Sequence, residues 1–138
     1  MLVKDIMTRR METILPTATM YEAAKRMRTL NIGSLPVAEN GKLIGIITDR
    51  DVCCRGVADG YDPMRAEVRE IMSHDLAFCF SFDTVNDAVR QMEQRHIRRL
   101  AVLNSDKTIA GFLSVDDLAH YSRQLAGEVL ESVRPAHH

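Results

Sequence analysis

The segment Val3-Lys-Asp-Ile-Met-Thr8 returns as Val68-Arg-Glu-Ile-Met-Ser73, and the likeness continues well beyond each copy. A shift of 65 (68 − 3) pairs Thr19 with Thr84, Ala23 with Ala88, Met27 with Met92, Ile32 with Ile97, Leu35 with Leu100 and Val37 with Val102. One inserted residue between Asp106 and Ala110 changes the shift to 66, which pairs Gly45 with Gly111 and Asp51 with Asp117. A duplicated unit of this size usually cannot bury its apolar face alone, so the two copies are expected to pack on each other. The cleft between two related halves is a natural place for a ligand.

Composition narrows the classes. With 138 residues the chain can bury one good core, and the duplication makes it one domain of two halves. A formal net charge of −1 gives no electrostatic footprint for nucleic acid. The N-terminus has no apolar stretch of signal-peptide length, and no run approaches the length that spans a bilayer, so no membrane association is expected. Three cysteines, with Cys53 and Cys54 adjacent, suit a reducing cytoplasm better than a disulfide framework.

Both copies read in one order. A short helical turn around Ile6 and Met7 opens the first, and a strand follows near residues 12–15, matched by residues 77–80. Thr19-x-x-Glu22 and Thr84-x-x-Asp87 are capping boxes. Apolar residues follow at helical spacing: Met20, Ala23, Ala24, Met27 and Leu30, then Val85, Ala88, Val89 and Met92. Residues 34–38 form a strand, Asn40-Gly41 a hairpin turn, and residues 43–47 the returning strand, with a looser turn through residues 104–107 in the second copy. Last helices start near Asp49 and Val115. The expected class is α/β of the α+β type, two tandem pseudosymmetric β-α-β-β-α units forming one module. Residues 1–59 make the first unit, 60–67 a linker, 68–122 the second, and 123–138 a C-terminal helix and tail.

Where the last strand meets the last helix, the copies read Gly45-Ile-Ile-Thr-Asp-Arg-Asp51 and Gly111-Phe-Leu-Ser-Val-Asp-Asp117. A glycine in a strand permits close approach of another backbone or a ligand. A hydroxyl at a helix start accepts from backbone N–H groups or meets a phosphate oxygen. An ionised aspartate one turn on can accept two hydrogen bonds from a vicinal diol such as a ribose. The combination suits a nucleoside phosphate. The same spacing, Thr48-x-x-Asp51 and Ser114-x-x-Asp117, equally fits a pair of plain helix caps. Asp49, Asp51, Asp116 and Asp117 would repel a polyphosphate, so it needs cations from elsewhere, for which Arg98 and Arg99 are candidates and Arg50 a lesser one.

The doubled Gly-apolar-apolar-Thr/Ser-x-x-Asp motif, the Asp-Ile-Met and Glu-Ile-Met segments and Leu35-Pro-Val37 resemble those of a CBS-domain pair, or Bateman module, from about Val3 to Ala119. Thr48-Asp-Arg-Asp-Val52 is similar to the form found in small stand-alone bacterial members. The resemblance implies an adenosine-ligand cleft in each half. Asp51 and Asp117 would hold ribose hydroxyls, and Thr48 and Ser114 would meet phosphate. Backbone around Thr13 and Ile14, around Ser34 and Leu35, and around Phe78 and Cys79 in the second copy would flank the base. In several members of the family a basic residue before the Leu-Pro-Val strand reaches a phosphate across the pseudo-dyad, which points to Arg98 and Arg99. The second copy departs from the pattern at Ala101, where the first has Pro36, and at Phe80-Ser-Phe82, where it has Leu15-Pro-Thr17. One nucleotide site is therefore better supported than two.

Cys53 and Cys54 lack the Cys-x-x-Cys or His spacing of a zinc site, and His74, His96 and His120 are scattered, so no metal site is expected. No catalytic triad, dyad or Gly-rich phosphate loop is evident. The expected function is a non-enzymatic regulatory sensor of an adenine nucleotide, requiring no cofactor but able to take AMP, ADP, ATP, NAD or S-adenosylmethionine. It would act on a regulated partner protein that the residues do not name. Alternatives are a ligand-free dimerisation or stress-response protein and a regulatory subunit of a partner enzyme. A homodimer is expected from apolar residues on several helix sides: Ala23, Ala24, Met27, Val89, Met92 and the stripe Leu118, Tyr121, Leu125, Val129 and Leu130. The family resemblance implies a flat disc of four units for such a dimer.

Overall fold

The computed structural model describes residues 1–133. In chain order the elements are α1 (Val3–Ile6), α2 (Met20–Leu30), β1 (Ser34–Glu39), β2 (Lys42–Thr48), α3 (Asp49–Asp51, continued by a π-helical stretch Val52–Val57), α4 (Val68–Ile71), β3 (Phe78–Phe80), α5 (Val85–Arg95), β4 (Arg99–Leu103), β5 (Ile109–Ser114), α6 (Val115–Tyr121) and α7 (Arg123–Ser132). The described residues form two compact units, Glu12–Leu76 and Met1–Met11 with residues 77–133. The leading segment of each sequence repeat thus belongs to the unit that holds the body of the other repeat. Val3, fully buried, sits in the core with Val85, Met92, Leu100 and Leu113. Its counterpart Val68 sits in the core with Met20, Met27, Leu35 and Ile47.

Local sequence explains most elements of the first-copy unit, Glu12–Leu76. Thr19 caps α2 by accepting from the Glu22 N–H while the Glu22 carboxylate accepts from the Thr19 N–H, and Asn31 ends the helix at φ 55°. Met20, Ala23 and Met27 bury one face of α2. The β1–β2 hairpin turns through Asn40 and Gly41 at φ 55° and 77°, the positive values that a type I′ turn requires. The stretch before α4 is tied to α2: the Tyr21 N–H donates to the Pro63 carbonyl and the Met20 N–H to the Ala66 carbonyl.

In the second-copy unit, Thr84 caps α5 by accepting from the Asp87 N–H, and His96 ends it at φ 57°. Here β3 runs parallel to β4, with Phe78, Cys79 and Phe80 opposite Ala101, Val102 and Leu103. The first-copy unit was expected to carry the same strand over residues 12–15, but it keeps only a single parallel bridge between Ile14 and Val37. Proline explains the loss. The Ser81 N–H extends the β3 ladder to the Leu103 carbonyl at 2.9 Å, whereas its counterpart Pro16 has no N–H to give.

The last helices also diverge. Gly56, buried at the end of the π-helical stretch, lets that stretch lie against Met20, where a Cβ would collide with the Met20 sulfur. The counterpart of Gly56 is Ser122, which caps α7 by accepting from the Leu125 N–H. Helix α7 then packs on α5 and α6. This corrects the reading of the apolar helix faces as a surface for a second copy. Ala23 and Met27 are core residues of the first-copy unit, and Val89, Met92, Leu118 and Val129 are core residues of the second. Of that set, Ala24, Tyr121 and Leu130 are exposed. Residues 134–138 of the expected C-terminal tail lie outside the described residues.

Candidate functional site

The two glycines of the doubled motif make room for backbone. A Cβ on Gly45 would stand 2.7 Å from the Met72 sulfur and 3.0 Å from the Ser73 carbonyl oxygen, and one on Gly111 would collide with the Thr8 carbonyl. In each unit a leading segment lies antiparallel against the motif strand. Ser73 and Ile46 exchange N–H···O bonds of 2.8 and 3.0 Å, and Thr8 and Phe112 exchange two of 2.8 Å. The approach permitted by each glycine is therefore to another stretch of chain.

The hydroxyls and aspartates of the motif do form caps. Thr48 Oγ1 accepts from the Asp51 N–H at 3.0 Å, and Asp51 Oδ2 accepts from the Thr48 N–H at 3.0 Å. Ser114 Oγ accepts from the Asp117 N–H at 3.2 Å, and Asp117 Oδ2 accepts from the Ser114 N–H at 2.9 Å. Capping uses the backbone and one carboxylate oxygen and leaves the second oxygen to the surroundings. Here the copies differ. Asp117 Oδ2 also accepts from the Ser114 hydroxyl at 3.1 Å, and Asp117 Oδ1 accepts from the Thr8 hydroxyl at 2.9 Å. Thr8's counterpart Ser73 instead turns its hydroxyl oxygen to the Asp75 N–H at 3.2 Å. Among the described residues no donor reaches Asp51 Oδ1. Both aspartates are partly exposed.

Around Asp51, Ser34 faces Thr48 across the β1–β2 ladder, and Leu35 faces Ile47. Leu35 and Ile14 are buried in the core, so only their backbone can border a ligand. Ile14 exchanges backbone hydrogen bonds of 3.0 Å with Pro36 and Ala38. The Thr13 carbonyl accepts from the Arg26 guanidinium, which also pairs with Glu12 at 2.9 Å. Asp49 lies close to Gly33, whose carbonyl accepts its N–H at 2.9 Å.

Around Asp117, Arg99 lies in β4 opposite Ser114, whereas Arg98 precedes the strand and uses its carbonyl to accept the Val115 N–H at 3.1 Å. The two arginines are therefore not equivalent. The Arg99 guanidinium lies 4.2 Å from the centroid of the Phe112 ring, a cation–π stack. Phe78 and Phe80 meet edge to face at 5.6 Å, and Phe80 stacks on Phe82 at 5.1 Å. Cys79 is in the core, where burial first and the Asp83 carboxylate second push its thiol up from 9.0 to about 12. Its side chain stays a neutral packing group at ordinary pH.

Sequence reasoning passed over Thr8 and Phe112. Thr8 carries a signal, since a hydroxyl closes the leading segment in both copies as Thr8 and Ser73, but the repeat by itself marks only the duplication. Phe112 sits in an apolar slot of the motif, where nothing local separates a core residue from a platform for arginine. Among the described residues, no group of three or more His, Cys, Asp or Glu side chains is arranged to hold a metal ion. No helix among them is long and apolar enough to cross a membrane.

Comparison with known proteins gives this geometry a context. The CBS domain family model matches residues 3–55 and 68–124. The chain is 37% identical over 133 residues to the CBS domain-containing protein YhcV of Bacillus subtilis, covering 95% of this chain and 94% of that protein. The crystal structure of Hypoxic Response Protein I with two coordinated zinc ions is similar with a TM-score of 0.78 and 27% identity, covering 88% of this chain and 98% of that one. The CBS domain pair of protein MJ0100, in complex with 5′-methylthioadenosine and S-adenosyl-L-methionine, is similar with a TM-score of 0.72 and 25% identity, covering 90% and 97%. CBS domains are in general regulatory modules, and those in pairs often bind adenosine ligands.

Proposed function

The chain belongs to the CBS domain family, and we propose that it is a regulatory module that binds an adenosine-containing ligand, catalyses nothing, and changes its shape or association in response. One observation carries this reading: the Asp51 carboxylate caps its helix through one oxygen and presents the other without a protein donor among the described residues. A cap alone does not need that second acceptor, whereas a vicinal diol does. The adenosine ligands of the MJ0100 pair support the ligand class. In this reading Asp51 holds ribose hydroxyls, Thr48 meets the phosphate, and backbone of Thr13, Ile14, Ser34 and Leu35 borders the base. In the second-copy unit Asp117, Ser114, Phe78 and Cys79 are the matching sequence positions. Arg98, Arg99 and Arg50 are the cations available to a phosphate.

A thermal-shift screen with AMP, ADP, ATP, NAD and S-adenosylmethionine tests the reading. A ligand present at one hundred times its Kd adds about 2.7 kcal/mol of stability, so a clear rise in Tm is expected with at least one of them. A native mass spectrum of freshly purified protein would identify a carried-over nucleotide by its mass.

A second reading, a ligand-free interaction protein, is favoured by the complete capping boxes at both motifs. It predicts no stabilisation by any of the five compounds. In either case the protein works in the cytoplasm as a homodimer. The dimer contact rests on what the cores leave exposed, which includes Tyr121 and Leu130 in the second-copy unit. Sedimentation as a monomer at micromolar concentration would reject the dimer.

A further inference from the structure

Counting acceptor positions on the two equivalent aspartates separates them. An ionised carboxylate offers about four lone-pair positions, and a vicinal diol donates two hydrogen bonds. Among the described residues Asp51 spends one position, on the Thr48 N–H. Asp117 spends three, on the Ser114 N–H, the Ser114 hydroxyl and the Thr8 hydroxyl. The first therefore has room for both hydroxyls of a ribose, and the second does not unless a protein donor leaves. Two of the three donors on Asp117 belong to the cap. The third, Thr8, comes from the leading segment, where a ribose-like hydroxyl on the chain itself takes the oxygen that the cap does not use.

We propose that Thr8 is a specificity-determining residue: its hydroxyl closes Asp117 to a ribose diol and leaves Asp51 as the one diol-holding carboxylate of the chain. The proposal rests on the adenosine reading above and adds what decides between the two copies. The position suits the role. Thr8 is fixed by two backbone hydrogen bonds of 2.8 Å to Phe112, so its side chain is held at the carboxylate by the strand pairing. The matching bridge between Ser73 and Ile46 holds a hydroxyl too, but its oxygen accepts from the Asp75 N–H, and among the described residues it makes no bond to Asp51.

Thr8→Val tests this directly, because valine keeps the β-branched shape and suits an extended pairing while removing the hydroxyl. Titration calorimetry of the full chain with AMP should give one strong site per chain for the wild type and a second site for Thr8→Val. That second site is expected to tighten by about tenfold, the effect of a hydrogen bond to a charged group. Thr8→Ser, which restores the hydroxyl, should return the protein to one strong site. With 2′,3′-dideoxyadenosine monophosphate, wild type and Thr8→Val should bind alike at the second-copy unit. Two equally strong AMP sites in the wild type, one removed by Asp51→Ala and the other by Asp117→Ala, would overturn the proposal and leave the adenosine reading intact. So would a Thr8→Val protein that melts like the wild type and gains no second site. If no variant binds AMP or any of the other four adenosine compounds, both fall together.

Discussion

Asp51 and Asp117 occupy equivalent places in a duplicated sequence and cap equivalent helices, yet one keeps a carboxylate oxygen open and the other has both engaged. The motif itself accounts only for the cap, which it builds in both copies. What is left for a ligand is decided by residues outside the motif: Thr8 reaching Asp117, Ser73 turning to Asp75, and Arg99 lying on Phe112. Duplication thus conserves a backbone device more faithfully than the chemistry beside it.

The largest effect should come from the glycines that admit the leading segments. Gly111→Ala places a Cβ against the Thr8 backbone, which has no rotamer to escape into, while Gly45→Ala meets first the flexible Met72 side chain. Overpacking costs of about 3 kcal/mol and about 1 kcal/mol, respectively, are expected from urea unfolding midpoints. Equal costs would mean that the leading segment of the second-copy unit shifts as readily as a methionine side chain.

Next come the aspartates, whose rank should reverse between binding and stability. Asp51→Ala is expected to weaken AMP by about one to two decades, the worth of about 1.5–3 kcal/mol of charge-assisted hydrogen bonds, and Asp117→Ala to weaken it by at most a few-fold. For stability Asp117→Ala should cost more, about 1–3 kcal/mol against about 1 kcal/mol, because it strands three donors where Asp51→Ala strands one. Calorimetry and chemical denaturation on the same two variants check both orders. If Asp117→Ala alone abolishes AMP binding, the two sites have been assigned the wrong way round.

The pH response should also come from one half. Cys79 is held neutral to about pH 12, while in the unfolded chain it ionises near 9.0. Between these values the unfolded state binds fewer protons than the folded state, so stability falls as pH rises, by about 1.4 kcal/mol per pH unit above 9, and is unaffected by this group below it. Ile14 takes the matching place in the first-copy unit and contributes nothing of the kind. Unfolding midpoints at pH 8 and pH 10 should therefore differ more for the wild type than for Cys79→Val. A thiol reagent should modify the exposed Cys53 and Cys54 quickly and Cys79 only on unfolding.

The smallest effect expected is on phosphate. Replacing Arg98 and Arg99 by alanine should weaken AMP a few-fold more than adenosine, with the gap widening at low salt. The same measurement on Arg50→Ala asks whether that arginine contributes to the phosphate. An identical loss for AMP and adenosine would remove the arginines from the phosphate.

Much of this was legible in the chain. The pairing of Thr19 with Thr84 and of Asp51 with Asp117 announced the duplication and located both caps, and Asn40-Gly41 announced the hairpin, because these are devices closed within four residues. Local spacing did not reveal that Pro16 shortens one parallel strand to a bridge, since the missing hydrogen bond is visible only beside the ladder of the other copy. Nor did it reveal that Val129 of the α7 stripe is a core residue packed with α5 and α6, while Leu130 beside it stays exposed. The family to which the chain belongs, the helix–hairpin–helix order of each copy and the identity of its caps were determined by the sequence alone. Which carboxylate keeps an open oxygen was decided only by tertiary structure, because it depends on Thr8 and Asp117 meeting across 109 residues of chain.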